Sequence, residues 1–141
     1  MPAPYDGGCL CGLIRYRLTD EPLTLCACHC TDCQTLAGSA FRVNAAAPFA
    51  SFKLTRGEPK TYVKTAESGA QRLHGFCPDC GTPIYSVAPV DPIFMFLRVG
   101  AIHERKSLPP TKQIWLRSAV TWTPDLAALP GSPEQQALST K

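Results

Sequence analysis

The chain has 141 residues, 45% hydrophobic, with a formal charge of +3 and eight cysteines. No apolar run approaches the roughly 20 residues a membrane span requires. Fourteen prolines and ten glycines argue against long helices and for short elements joined by turns.

The N-terminal stretch MPAPYDGGCLCG has no charged start followed by an apolar run, so no signal peptide is expected there. The default location is then the cytoplasm, where thiols stay reduced. Cysteines in that setting read as metal ligands or reactive thiols before disulfides. Cys9 and Cys11 open the series as C-L-C. In LIRYRL, residues 13–18, Ile14, Tyr16 and Leu18 alternate with Arg15 and Arg17, the mark of a half-buried strand. Residues 23–30 read as extended and carry Cys26, Cys28 and Cys30. TDCQTLAG then offers Thr31 or Asp32 as an N-cap and Gly38 as a stop for one short helix. Strands are expected at 40–46, 51–55, 61–64, 70–76, 83–87 and 93–99, punctuated by Gly57, Pro59, Gly69 and Pro92. Cys77 and Cys80 form C-P-D-C-G, a zinc-knuckle turn in which Gly81 can adopt backbone angles that other residues avoid. The last stretch holds Trp115 and Trp122 and suggests a strand-like segment, then a short helix at 124–129. The class is mainly β with one or two short helices. The length suits one domain, 1–141, with a core over about 5–130 and a loose tail.

Strand geometry sorts the cysteines. Side chains two apart face the same way, with Cα atoms about 6.6 Å apart. Cys9 with Cys11, and Cys28 with Cys30, can therefore each share one zinc ion through bonds of about 2.3 Å. Cys33 returns through the turn three residues on. Cys26 shares the face of Cys28 and Cys30 but lies about 13 Å from Cys30 in an extended chain. It reads as a buried free thiol beside a three-cysteine set of Cys28, Cys30 and Cys33. A kinked strand would instead bring Cys26 in and close a four-cysteine structural site. Cys9, Cys11, Cys77 and Cys80 form the second set. Four thiolates fill a zinc ion's coordination and leave nothing to react, whereas three leave a position open for water or an exogenous ligand.

GGCLCG, CHCTDC with its following LAG, FCPDCG and the late tryptophan segment resemble the glutathione-dependent formaldehyde-activating enzyme family, which includes centromere protein V relatives. Seven cysteines match its pattern in order: Cys9, Cys11, Cys28, Cys30, Cys33, Cys77 and Cys80. Where many relatives have arginine after the third middle cysteine, this chain has Gln34. The resemblance implies a zinc-stabilised β-tent fold shared with methionine sulfoxide reductase B. It also implies two zinc ions per chain. One is structural, on Cys9, Cys11, Cys77 and Cys80, and one is catalytic, on Cys28, Cys30 and Cys33. The implied activity is that of a carbon–sulfur lyase acting on glutathione and formaldehyde.

Three thiolates make zinc a poor generator of hydroxide and a good partner for a fourth thiolate. The partners expected are a small thiol and a small aldehyde. A non-catalytic zinc protein, binding small thiols or serving as an interaction module, is the other class the residues allow. A methionine sulfoxide reductase needs a reactive cysteine after the second knuckle, and none follows Cys80. Seven bound thiolates and two zinc ions bring the formal +3 close to zero, and the basic residues form no stripe, which argues against nucleic acid. His29 should face away from its flanking cysteines as a hydrogen-bonding residue. His74 and His103 read as surface or structural, with His103 a proton shuttle if it stands near the open site. Arg42 and Arg98 are candidates for substrate carboxylates, against a default of solvated or salt-bridged arginine. Trp115 and Trp122 read as core or pocket wall.

Overall fold

The structure, a computed structural model, describes residues 3–138. The described strands, in chain order, are β1 (Tyr5–Gly8), β2 (Arg15–Leu18), β3 (Thr24–Cys28), β4 (Arg42–Pro48), β5 (Phe52–Arg56), β6 (Lys60–Thr65), β7 (Gln71–Phe76), β8 (Pro83–Val87), β9 (Phe94–Arg98) and β10 (Lys112–Ile114). One α-helix, α1 (Thr31–Ala37), lies between β3 and β4, and a 3₁₀ segment spans Thr123–Ala128 near the helix expected at 124–129. Residues 131–138 are exposed and carry neither helix nor strand. No helix among the described residues is long and apolar enough to cross a membrane.

The mainly β class is as expected, and the strands form two sheets. β1, β2 and β5 make a three-stranded antiparallel sheet with β2 in the middle. Its alternation is the one visible in LIRYRL: Ile14, Tyr16 and Leu18 are fully buried and Arg17 is exposed. Strand β1 was not anticipated, because YDGG is poor in β-forming residues. Close packing explains its glycines. A Cβ on Gly7 would lie 2.3 Å from the Tyr16 ring, so only glycine lets β1 pass this close.

The other seven strands run in the order β10-β3-β4-β9-β8-β7-β6, antiparallel except for β10 against β3. One face of this sheet presents Ala45, Ala47, Val87, Met95 and Leu97 to Tyr5, Ile14, Tyr16 and Leu18 of the small sheet. Each such large apolar side chain contributes about 1.5–3 kcal/mol on burial. Residues paired across neighbouring strands share a face and alternate residues do not. The register therefore puts Cys28 with Arg42, Asn44 with Arg98, Ser86 with His74, and His74 with Tyr62, all on the side away from the core. That second face, with α1 beside β4, is where chemistry is concentrated.

Candidate functional site

The β1–β2 loop and the β7–β8 loop bring Cys9, Cys11, Cys77 and Cys80 together, with their sulfurs all within 4.8 Å of one another. Cys9 and Cys11 stand 3.6 Å apart and Cys11 and Cys77 3.7 Å. A tetrahedral ion with bonds of about 2.3 Å needs edges of about 3.8 Å, whereas a disulfide needs about 2.05 Å. The spacing fits a metal ion. The Ile14 N–H donates to Cys9 Sγ at 3.2 Å, and those of Asp79 and Cys80 donate to Cys77 Sγ at 3.4 Å. Such donors favour thiolate over thiol. Thr82, which no sequence pattern singled out, accepts from the Leu10 N–H at 3.1 Å and stands 3.1 Å from Cys80 Sγ. The hydroxyl can donate to that sulfur once it is a thiolate. Side-chain and backbone hydrogen bonds from Thr82 lead the causes that bring the Cys80 thiol down to about 5.

The three-cysteine set is local. Cys28 ends β3, Cys30 precedes α1 and Cys33 sits in its first turn, and their sulfurs also lie within 4.8 Å of one another. The helix cap differs from expectation. Neither Thr31 nor Asp32 caps α1; Cys30 does, its sulfur accepting from the Cys33 N–H at 3.2 Å. Gly38 stops the helix in the left-handed conformation, φ 60°. Burial raises the Cys30 thiol, but hydrogen bonds from Cys33 and Cys28 and the charge of Lys64 lower it by more. Cys33 is pushed well up, first by burial and then by its sulfur neighbours. Cys26 is not in the cluster. It is buried on β3 opposite Asn44, facing a separate small cavity.

His29 points away from the sulfurs, as the alternation predicts. It is buried, hydrogen-bonded through Nε2 to Gln113 at 2.8 Å and packed against Phe41. Gln34 Nε2 donates to the carbonyls of His29 at 2.8 Å and Ser118 at 3.0 Å, tying α1 to the segment after β10. His103 is exposed and lines a depression with Cys9 and Arg105, beside the four-cysteine set. It therefore does not stand where a proton shuttle for the three-cysteine set would have to be.

One cavity reaches the three sulfurs through Cys30, and a second lies beside Arg42, the register partner of Cys28. The first, of about 440 Å³, is lined by Cys30, Asp32, Lys64, Glu67, Trp115 and Arg117. Lys64 and Asp32 are paired there at 2.9 Å. Trp115 is a pocket wall, held at φ 59° and 47% exposed; Trp122 is 53% exposed, so neither tryptophan is core. The other cavity, of about 350 Å³, is lined by Leu36, Arg42, Tyr62, His74, Phe76, Tyr85 and Arg98 among others. Here the default for arginine fails. Arg42 and Arg98 are only 5% and 7% exposed, and neither pairs with a carboxylate among the described residues. Arg98 donates to Asn44 Oδ1 at 2.6 Å and to His74 Nδ1 at 3.1 Å. His74, read from the sequence as surface or structural, stands in the wall of this cavity. Burial, followed by the charges of Arg98, Arg42, Lys64 and Arg72, holds it down to about 4, so it is a neutral acceptor.

No curated protein matches the chain. The fold is similar to a crystal structure of a Rhodobacter sphaeroides protein, a structural genomics target. That likeness has a TM-score of 0.58 at 18% identity and covers 77% of this chain and 98% of that one, which speaks to fold alone. Residues 4–118 match the profile of the glutathione-dependent formaldehyde-activating enzyme family. That span contains both cysteine sets and the two buried arginines, and the chain belongs to this family.

Proposed function

We propose that Cys9, Cys11, Cys77 and Cys80 hold a structural zinc ion and that Cys28, Cys30 and Cys33 hold a reactive one. The reaction we assign is the joining of a small thiol, glutathione, to formaldehyde or a related aldehyde. The observation that carries this reading is the contrast in ligand count, together with Cys30 lining a cavity large enough for a tripeptide thiol. Zinc on three thiolates would supply a Lewis acid with a fourth position open to a thiol, lowering that thiol's pKa.

The chain's own residues do the rest. Lys64 and Arg117 can meet a thiol peptide's carboxylates, and Glu67 its ammonium. The Cys33 N–H holds Cys30 Sγ in place, and Gln34 fixes the start of α1 against Ser118. The substrate thiol gives up its proton, its sulfur attacks the carbonyl carbon, the C=O pair moves to oxygen, and that oxygen takes up the proton the thiol released, through solvent, to leave a hemithioacetal. The reverse step breaks the C–S bond, the lyase direction. These steps need reduced thiols, which agrees with a cytoplasmic setting. The test is the exchange rate between formaldehyde, glutathione and their adduct, with the uncatalysed rate subtracted. Acceleration that is lost in Cys30→Ser supports the reading. Glutathione binding without acceleration would leave a thiol-binding protein.

A further inference from the structure

The cavity of about 350 Å³ beside β4, β7 and β9 is built for something formaldehyde does not offer. Formaldehyde is uncharged and has two heavy atoms. The cavity holds two guanidinium groups on side chains more than nine-tenths buried. Among the described residues the ion pairs are Arg17 with Asp6 and Lys64 with Asp32; neither involves these arginines. Arg42 makes no side-chain hydrogen bond among the described residues, and Arg98 Nε is buried without a partner. A buried cation with nothing opposite costs several kcal/mol. The three sulfurs offset part of this. Cys28, opposite Arg42 in the sheet register, and Cys33 both act electrostatically on Arg42 and Arg98. Before a thiol binds, three thiolates on a divalent ion would carry only one net negative charge, which leaves one of the two cations to balance. His74 adds no third charge, and it orients the Arg98 fork by accepting from it. The remaining wall is apolar: Leu36, Tyr62, Phe76 and Tyr85.

We infer that this cavity is a carboxylate subsite and that the carbonyl substrate of this chain is an oxo acid with an apolar body. The inference rests on the reading of the three-cysteine set as the reactive centre. The carboxylate lies on Arg42 and Arg98, the apolar body fills the aromatic wall, and the carbonyl end is directed toward Cys28 and Cys33.

The test uses the zinc-loaded full chain without thiol and measures benzoate and its neutral isostere benzamide by titration calorimetry. Benzoate binds saturably and benzamide at least about tenfold more weakly, since hydrogen bonds to a charged group are worth about 1.5–3 kcal/mol. Arg42→Met lowers benzoate affinity by at least about tenfold, with zinc content and melting temperature checked in the same sample. Equal binding of the two ligands, or no benzoate binding at millimolar concentration, overturns the subsite, and neither result depends on a variant folding. In a separate arm with glutathione, 4-formylbenzoate exceeds benzaldehyde at least about tenfold in kcat/KM; equal values overturn the substrate class. Benzoate binding with no turnover of any aldehyde would sink the lyase reading and the oxo-acid assignment, while the subsite would stand.

Discussion

The four-cysteine set draws Cys9 and Cys11 from one hairpin loop and Cys77 and Cys80 from another, so a metal there closes a long stretch of chain. The three-cysteine set takes its sulfurs from residues 28–33, where a strand end and a helix start already hold them. Metal bound at the first site would join the small sheet to the large one, and its binding free energy would become folding free energy. Metal at the second would add little to a turn the backbone has fixed. The lesson is that sequence separation of ligands, more than their number, decides what losing the ion does to the fold.

The largest effect should follow from breaking the distant set. Cys77→Ser lowers the melting temperature by about 10 °C or more, because a bridging metal site is lost. Cys30→Ser shifts it by no more than about 3 °C while removing activity. Thermal denaturation beside an activity assay reads both, and equal losses of stability would dissolve the division. Next comes metal retention. Zinc analysis approaches two ions per chain and falls toward one on mild chelation without unfolding; a chain that never holds more than one under zinc-replete, reducing conditions contradicts the open site. A smaller effect is expected at Cys26, which lies outside both clusters. Cys26→Ala keeps both zinc ions and costs about 1 kcal/mol, so loss of one ion in that variant would show Cys26 to be a ligand.

An effect confined to acid is a pH dependence at His74. Its pKa in the folded state is about 4, below the ordinary 6.5. The folded state thus binds this proton less readily than the unfolded chain does. The residue leaves stability unchanged above about 6.5 and lowers it as pH falls from there through 4. A ring chemical-shift titration with a midpoint near 4 is expected, and one at the ordinary value would mean that the cavity is wet and its arginines are paired.

Both cysteine sets were legible in the sequence, because C-x-C and C-x-x-C keep their sulfurs close by local spacing; Cys9 and Cys11 do so in the turn after β1, however, and not on a strand as the two-residue alternation supposed, and only the fold brings them to Cys77 and Cys80. Strand β2 was legible for the same reason, its alternation being the burial pattern itself. The helix cap was misplaced because cysteine does not usually act as a cap, and Cys30 does so through its sulfur. Strand β1 was missed because Gly7 answers to the Tyr16 ring and Gly8 to the Ile14 carbonyl and Arg15, contacts made across the small sheet. The arginine cavity was invisible for a similar reason. Arg42, His74 and Arg98 come from three strands, and only the sheet order places them together. Nothing along the chain marks an arginine at the end of β9 as buried. Thr82 sits beside Cys80 Sγ and also takes the Leu10 N–H, a contact that only the folded chain makes.

The central claim is that the three-cysteine set keeps a coordination position for an external thiol, and cobalt in place of zinc at that set tests it most directly. A fourth sulfur ligand strengthens sulfur-to-metal charge-transfer absorption. Glutathione should strengthen that band with saturation, and S-methylglutathione, which has no ionisable thiol, should leave it unchanged. No change with glutathione at millimolar concentration, or the same change with both, would contradict the account.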